Sequence, residues 1–159
     1  MSKKYKQEAP IKVPRFKESE GFYTTRERSR IMAKIKGKDT KSELRFRQEL
    51  HRAGVRFRVH APTLPGNPDV SNIRRKFVVF IDGEFWHGYD WESKKQKLKS
   101  NREFWIPKIE RNMQRDQEVN ARHAEMDFKV FRFWEREVKK NLKDCVAQVL
   151  ACLAERGQP

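Results

Sequence analysis

The segment Leu64–Trp91, LPGNPDVSNIRRKFVVFIDGEFWHGYDW, decides the fold of this chain. At its centre, residues 77–81 (FVVFI) are five apolar residues of strand-forming type, which predicts a central strand covered on both faces. A turn-rich stretch (LPGNP) and a basic turn (RRK) bound a second, shorter strand before it. We therefore predict a hairpin over residues 70–81, in which Asp69 and Asp82 lie at the same end.

The flanking sequence contains helical and strand patterns in alternation. Residues 88–100 are polar and basic, which predicts a loop, and the Thr40–Glu43 spacing has the form of a capping box. The order of elements predicts a single α/β domain with a small mixed β-sheet flanked by helices. The expected helices cover residues 25–36, 41–53, 102–126 and 138–155, and further strands cover residues 55–59 and 128–134.

The chain is expected to consist of a folded domain with a less ordered segment at each end. The folded domain covers residues 26–155. Residues 1–25 mix Lys, Pro and Glu without apolar periodicity, which predicts a basic arm that is mobile in isolation and lies along phosphates or is simply solvated. Residues 156–159 form a tail.

The charge of the chain is strongly positive and uneven. There are 37 Lys and Arg against 22 Asp and Glu, a net charge of +15, and residues 1–58 alone contain 18 basic and 7 acidic residues. A field of this sign favours a polyanion, most often nucleic acid. A merely soluble basic protein, such as a ribosomal one, is the alternative, although 11 Phe, 4 Trp and 3 Tyr argue against wholesale disorder.

The cysteines and the hydropathy pattern indicate a cytoplasmic protein. Cys145 and Cys152 lie in an apolar helical pattern, so we expect core residues and neither a disulfide framework nor a Cys-rich zinc site. No apolar run approaches the roughly 20 residues that cross a membrane. The lysines near the N-terminus are not followed by the apolar segment of a signal peptide.

The two aspartates at the hairpin end are candidate metal ligands. Hydrolysis of a phosphodiester requires a divalent metal to neutralise the phosphate and a base to generate hydroxide, and carboxylate oxygens suit Mg²⁺. Asp69 and Asp82 have the right placement, with Glu84 two residues further on. The alternative is that Asp69 stabilises a turn and Asp82–Gly83 is a turn dipeptide.

Three large rings follow the central strand in succession, as Phe85, Trp86 and His87. Successive side chains diverge, so at least one ring is expected on the surface, where it suits stacking on bases or wedging between them. The pKa of a histidine lies near 6.5, which makes His87 a candidate general base. The alternative is a surface histidine beside a core Trp.

The motifs LPGNPDV and VVFIDGEFWHG together resemble the very short patch repair (Vsr-type) DNA mismatch endonucleases. The resemblance covers about residues 26–155, in order and with matching spacing. Its further residues are Arg28–Ser29, Met32, Ile35, Asp39–Thr40 and Glu43 upstream, and Glu103–Trp105, Lys108–Ile109, Asn112, Arg115–Asp116 and Phe133–Glu135 downstream.

The resemblance implies a restriction-endonuclease-like core that nicks one strand of double-stranded DNA beside a T·G mismatch with Mg²⁺. Asp69 would be the principal metal ligand and the main-chain carbonyl of Ile81 a second. His87 would activate water, with Glu43 and Asp116 as supporting acidic residues.

The same resemblance implies how DNA is held. Phe85 and Trp86 would form an intercalating wedge, and the arm and first helix, with Arg28, Arg30 and Lys34, would grip the opposite groove. A monomer and contacts with other mismatch-repair proteins are expected.

The chain departs from the family pattern at a structural zinc site. The four zinc-ligand positions are Glu84, Tyr89, Trp91 and Arg136, so no structural zinc is predicted. A family histidine is replaced by Asp82, which would add a metal ligand or polarise His87. Two alternatives to T·G nicking are a restriction-associated or structure-specific nuclease of the same fold, and a non-catalytic DNA-binding module.

Overall fold

The computed structural model describes residues 5–157 of the chain. Lys3 and Lys4 of the predicted arm and residues 158–159 of the predicted tail lie outside the described residues. In chain order the elements are α1 (Arg26–Ala33), α2 (Lys41–Arg52), β1 (Arg58–Val59), β2 (Val70–Asn72), β3 (Phe77–Asp82), α3 (Trp91–Lys97), α4 (Arg102–Glu125), β4 (Lys129–Trp134), α5 (Glu135–Lys140) and α6 (Leu142–Glu155).

The four strands form one mixed sheet in the order β1-β2-β3-β4. The strand β2 pairs antiparallel with β1 and β3, whereas β4 runs parallel to β3. Val70 lies opposite Val79 and Asn72 opposite Phe77, which confirms the hairpin and puts Asp69 and Asp82 at one end. The architecture is that of an α/β domain and agrees with a restriction-endonuclease-like fold.

Helices cover both faces of the sheet, so all six residues of β3 are buried, as its apolar sequence predicts. Alternate residues point to opposite faces. Val78 and Phe80 pack with Val119 of α4. Val79 and Ile81 point the other way, into a core shared with α2, α5 and α6.

Two predictions of helix and loop positions are wrong. Residues 88–100 contain a helix, α3, because Trp91 is buried and its indole N–H donates to Glu110 on α4 at 3.2 Å. The last helix is broken at Asn141 (φ −131°, ψ 47°) into α5 and α6. The packing stripe of α6 is confirmed, with Cys145, Val146, Val149 and Leu153 buried.

Two local predictions around α2 are also corrected. Only Arg58–Val59 of the predicted strand 55–59 pairs, because Val55 turns into the core before the strand begins. Val59 is exposed, so the predicted half-buried alternation is absent as well. Thr40 caps the backbone N–H of Glu43, but the Glu43 side chain accepts from Asp39 instead of Thr40. Half of the predicted capping box is therefore present.

The described part of the N-terminal segment contacts α4. The Gln114 side chain accepts from the Ile11 N–H at 3.0 Å and donates to the Ala9 carbonyl at 2.9 Å. Phe16 and Phe22 pack against Phe104, with ring centres 4.9 and 5.6 Å away. Mobility of this segment in isolation stays a prediction. Within residues 5–157, no helix is both long and apolar enough to cross a membrane.

Candidate active site

A histidine–aspartate pair lies beyond the end of β3. The loop after β3 presents His87, and α4 presents Asp116, whose Oδ2 lies 2.6 Å from His87 Nδ1. Asn112 of α4 fixes the loop by donating to the Trp86 carbonyl at 2.9 Å. Because a carboxylate only accepts, this contact places the proton of a neutral His87 on Nδ1 and leaves Nε2 as the basic nitrogen.

The electrostatic surroundings favour the charged form of His87. Burial of the ring acts to lower its pKa, but the hydrogen bond to Asp116 and the charges of Asp82 and Asp116 outweigh burial. The pKa of His87 therefore lies above its ordinary value. A histidine with a pKa near the working pH is suited to accept a proton.

Asp82, the last residue of β3, faces the same histidine but is bonded elsewhere. Its Oδ1 lies 3.7 Å from His87 Nδ1, while both of its oxygens accept from Arg132 Nη1, at 3.1 and 2.9 Å. Burial raises the pKa of Asp82, and the charge of Arg132 opposes that rise. Asp116 is therefore the direct partner of the imidazole in this structure.

Asp69 lies just before β2, where its Oδ2 accepts from the Ile81 N–H at 2.7 Å. Burial raises the pKa of Asp69 to about 6, against the effect of that hydrogen bond, and the charge of Glu43 adds to the rise. A buried carboxyl group with a raised pKa beside a second carboxylate is typical of a place that binds a cation.

A second polar cluster borders Asp69 on the side of α2. Arg47 donates to Asp39 Oδ1 at 2.6 Å, to Glu43 Oε2 at 3.0 Å and to His60 Nε2 at 2.9 Å. Because Nε2 accepts, the proton of His60 is on Nδ1, which lies 3.9 Å from Asp69 Oδ1. This cluster fixes Glu43 beside Asp69.

All five acid–base candidates from the sequence therefore lie at one end of the sheet. They form two groups, Glu43 beside Asp69 on one side and Asp82 and Asp116 around His87 on the other, and His87 is hydrogen-bonded to Asp116. The charge of Asp82 contributes to raising the pKa of Asp69, so the two groups are electrostatically connected. Their catalytic roles stay predictions.

A groove of about 620 Å³ opens at this end of the sheet. Glu43, Ile81 and His87 line it, and one wall is formed by Met32 at the end of α1 together with residues 35–37 after the helix. No residue of α1 is buried, so Arg28 and Arg30 are exposed on the helix and Lys34 just after it.

The aromatic residues after β3 form the opposite wall of this groove. Phe85 is 37% exposed, the largest exposed fraction among the ring residues of that wall, and its ring centre lies 5.2 Å from Trp86 and 5.3 Å from Trp105. On the wall of α1, Met32 and Ile35 are also exposed, at 39% and 53%. Apolar side chains thus border the groove on both sides.

The positions expected to lack zinc ligands have other contacts. Glu84 Oε1 accepts from the Arg136 N–H at 2.7 Å, and the Arg136 guanidinium lies 4.9 Å from the centre of the Tyr89 ring. These contacts join the loop after β3 to α5. The absence of a structural zinc stays a prediction.

Three residues of these clusters were missed by sequence reasoning. Arg132 is in an alternating strand pattern, which suggests an outward basic residue, and Arg47 is one of many helical arginines. His60 follows a strand and has a left-handed backbone (φ 47°), which no local signal predicts. Each of them is recognised only in the structure, by the buried carboxylate that lies beside it.

The sequence is similar to known DNA nucleases over most of its length. A family model described as DNA mismatch endonuclease Vsr matches residues 20–93. The type II nicking enzyme V.NmeDIP of Neisseria meningitidis serogroup C is 42% identical over 133 residues, which cover 84% of this chain and 90% of that relative. For the type II nicking enzyme V.HpaIIP of Haemophilus parainfluenzae the identity is 42%, with 84% and 95% covered. For the DNA mismatch endonuclease Vsr of Escherichia coli K12 it is 35%, with 68% and 69% covered. The chain therefore belongs to the Vsr family of DNA endonucleases.

Proposed function

We propose that this endonuclease nicks one strand of duplex DNA beside a T·G mismatch and uses Mg²⁺. The observation on which the proposal rests is that His87, whose Nδ1 lies 2.6 Å from Asp116 Oδ2, lines the same groove as Glu43 and Ile81, the two residues that border Asp69. One relative is named a DNA mismatch endonuclease, and others are named nicking enzymes.

The residues around Asp69 fit a divalent metal. Asp69, Glu43 and the Ile81 carbonyl supply only oxygen atoms, the donors that Mg²⁺ prefers. The N–H and C=O of one residue in an extended strand point to the same side, so the Ile81 carbonyl faces the side where its N–H contacts Asp69. A bound Mg²⁺ supplies charge stabilisation of the phosphate and lowers the pKa of a bound water.

The proton transfers are assigned to His87. In the proposed step a water attacks the phosphorus atom, His87 Nε2 takes its proton, one backbone P–O bond breaks, and the departing oxygen takes up a proton from solvent. Asp116 keeps the other ring proton on Nδ1 and stabilises the imidazolium that forms, since its Oδ2 lies 2.6 Å from that nitrogen.

Binding of mismatched DNA is assigned to the two walls of the groove. Phe85 and Trp86 would insert between base pairs, a step that costs less at a mismatch because stacking and pairing there are already weakened. Arg28, Arg30 and Lys34 would contact phosphates from α1.

We expect Phe85→Ala to reduce nicking of a T·G duplex, with folding unchanged because this ring is partly exposed.

The experiment that tests the site separates binding from cleavage. The affinity of Asp69→Ala for a T·G duplex is expected to lie within about threefold of that of the unmodified protein. Its nicking rate is expected to fall by at least about 10²-fold, because the charge stabilisation and water activation that a bound metal supplies are lost. Undiminished nicking by this variant would contradict the assignment of Asp69.

A second candidate function keeps the site and changes the target. Several relatives are named type II nicking enzymes, and this chain differs from the family pattern at Glu84, Tyr89, Trp91 and Arg136, beside the proposed wedge. A restriction-associated nicking activity on fully paired DNA would give equal cleavage of T·G and paired duplexes.

A further inference from the structure

Arg132 is a largely enclosed cation at the centre of the histidine–aspartate group. It lies on β4, in register with Phe80 of β3, and its side chain points toward α4. The guanidinium lies 4.2 Å from the centre of the Phe80 ring, and the side chain is only 19% exposed. Asn120 of α4 accepts from its Nε at 2.7 Å. The ring below and the amide beside it restrict the guanidinium to one orientation.

In that orientation, one nitrogen of Arg132 contacts both carboxylates that surround His87. Nη1 donates to the two oxygens of Asp82, at 3.1 and 2.9 Å, and lies 3.6 Å from Asp116 Oδ1. The other oxygen of Asp116 lies 2.6 Å from His87 Nδ1, whereas the nearest oxygen of Asp82 is 3.7 Å away.

Two carboxylates thus compete for one ring proton, and Arg132 is bonded to the one that does not receive it. If Arg132 were absent, Asp82 would be a buried carboxylate without a cationic partner, and its closest remaining donor would be His87 Nδ1. The ring would then divide its hydrogen bond between Asp82 and Asp116 and would change its orientation in the groove.

We propose that Arg132 is a positioning residue for His87: by binding Asp82 and bordering Asp116, it directs the Nδ1 proton to Asp116 alone and so fixes Nε2 toward the groove. This inference rests on the proposed role of His87 as the base. A guanidinium suits the task because its charge is permanent and its donors have fixed directions.

The test combines three variants with two measurements. Arg132→Met keeps an apolar chain over Phe80 and removes the donors. Arg132→Lys keeps the charge without the planar geometry. The double variant Arg132→Met/Asp82→Asn also removes the competing carboxylate. Lys129→Met, an exposed residue of the same strand, is the control for loss of one positive charge.

The first measurement is ¹⁵N NMR of the His87 ring without metal, assigned by its loss in His87→Gln, at a pH where the ring is neutral. The protein and Lys129→Met are expected to show one tautomer, protonated on Nδ1 and slow to exchange. Arg132→Met is expected to broaden or lose that proton signal, and the double variant is expected to restore it.

The second measurement is single-turnover nicking. We expect Arg132→Met to lower the rate by about 10²-fold with DNA affinity changed by less than about threefold, because a misplaced base costs rate and not binding. Arg132→Lys is expected to show a smaller loss of nicking rate, and it replaces Arg132→Met in the test if Arg132→Met does not fold.

The outcomes separate this inference from the proposed function. An unchanged His87 signal in Arg132→Met overturns the positioning role, whatever happens to the rate. If only Arg132→Lys folds, an unchanged His87 signal together with an unchanged rate overturns it. A changed signal that the double variant does not restore shows that Arg132 acts other than by binding Asp82, and also overturns it. If the unmodified protein nicks none of the tested duplexes while the NMR result is as expected, the proposed function fails and the positioning of His87 stands.

Discussion

At the scale of single residues, the site contains a carboxyl group whose ionisation opposes folding. Burial raises the pKa of Asp69 from 3.8 to about 6. Between those pH values the folded chain binds a proton that the unfolded chain has released. Stability therefore falls as the pH rises toward 6, and above 6 the ionised carboxylate destabilises the fold. The same charge is what a metal ion requires.

We predict that Asp69→Asn stabilises the metal-free protein at pH 7.5 and abolishes nicking. The amide removes a penalty of about 1–3 kcal/mol, from a shift of about two pKa units at 1.36 kcal/mol per unit. Thermal melts at pH 7.5 and pH 4 measure it, since the gain should shrink at the lower pH. Lower stability of the variant at pH 7.5 would contradict the raised pKa.

Asp116 is predicted to set the pH dependence of nicking. Its hydrogen bond and charge raise the pKa of His87, and the base is the neutral form, so the rate should rise with pH through that pKa. In Asp116→Asn the pKa of His87 falls, so the acidic limb of the pH–rate profile moves to lower pH, while the maximal rate drops by about 10²-fold. If the acidic limb does not move, Asp116 does not set the pKa of the base, and this prediction is contradicted.

At the scale of secondary-structure elements, the site is positioned by the turn before Asp69 and by the loop that carries His87. Both are hydrogen-bonded to α4. His123, buried on α4, donates from Nε2 to the Pro65 carbonyl at 2.8 Å, and Asn112 donates to the Trp86 carbonyl at 2.9 Å. The long helix is thus a common support for the turn before Asp69 and for the loop of His87. A shift of α4 would move both parts of the site.

Gly66 is predicted to be essential for the first of these turns. Its φ is +76°, and an added Cβ would lie 2.8 Å from Val119 Cγ1 of α4. Gly66→Ala should therefore destabilise the protein by about 1–3 kcal/mol, measured by urea denaturation. Gly37→Ala is the control, because no atom lies within 4 Å of its added Cβ. Equal stability of the two variants would contradict this packing.

The sequence predicts elements well where the pattern is local and poorly where distant residues determine the structure. The strand β3 was predictable because its residues are apolar on both faces. The helix α3 was not, because its basic sequence is helical only through the packing of Trp91 against α4. Residue pairing follows the same rule, since nothing near Arg132 in the sequence indicates Asp82, fifty residues earlier.

At the scale of the whole molecule, the charge distribution suits a DNA-binding protein. The net charge is +15, and the exposed helix α1, whose C-terminal end borders the groove, carries Arg26, Arg28 and Arg30. The buried carboxylate of Glu43 lines that groove, so basic side chains nearby attract phosphates and the acidic end of the sheet attracts cations. Both features serve the hydrolysis of a phosphodiester.

DNA affinity is predicted to fall steeply with salt, by about 10³-fold or more between 50 and 200 mM if about six phosphates are contacted. The double variant Arg28→Gln/Arg30→Gln should reduce the slope of log K against log salt by about 2, one for each lost contact. Lys140→Gln/Lys143→Gln, at the junction of α5 and α6, makes the same charge change as a control. Fluorescence anisotropy measures the DNA affinity of the protein and of both variants at each salt concentration. Equal slopes would show that α1 is not part of the DNA interface.

The most direct test is a nicking assay on a duplex with one T·G pair, labelled separately on each strand, beside its fully paired twin. Each duplex is incubated with Mg²⁺ or with a chelator, and Asp69→Asn is the folded control. We expect a single nick in the T strand of the mismatched duplex, only with Mg²⁺ and only with Asp69 present. Equal cleavage of the paired duplex would contradict mismatch specificity, and cleavage by Asp69→Asn or in the chelator would contradict the metal site itself.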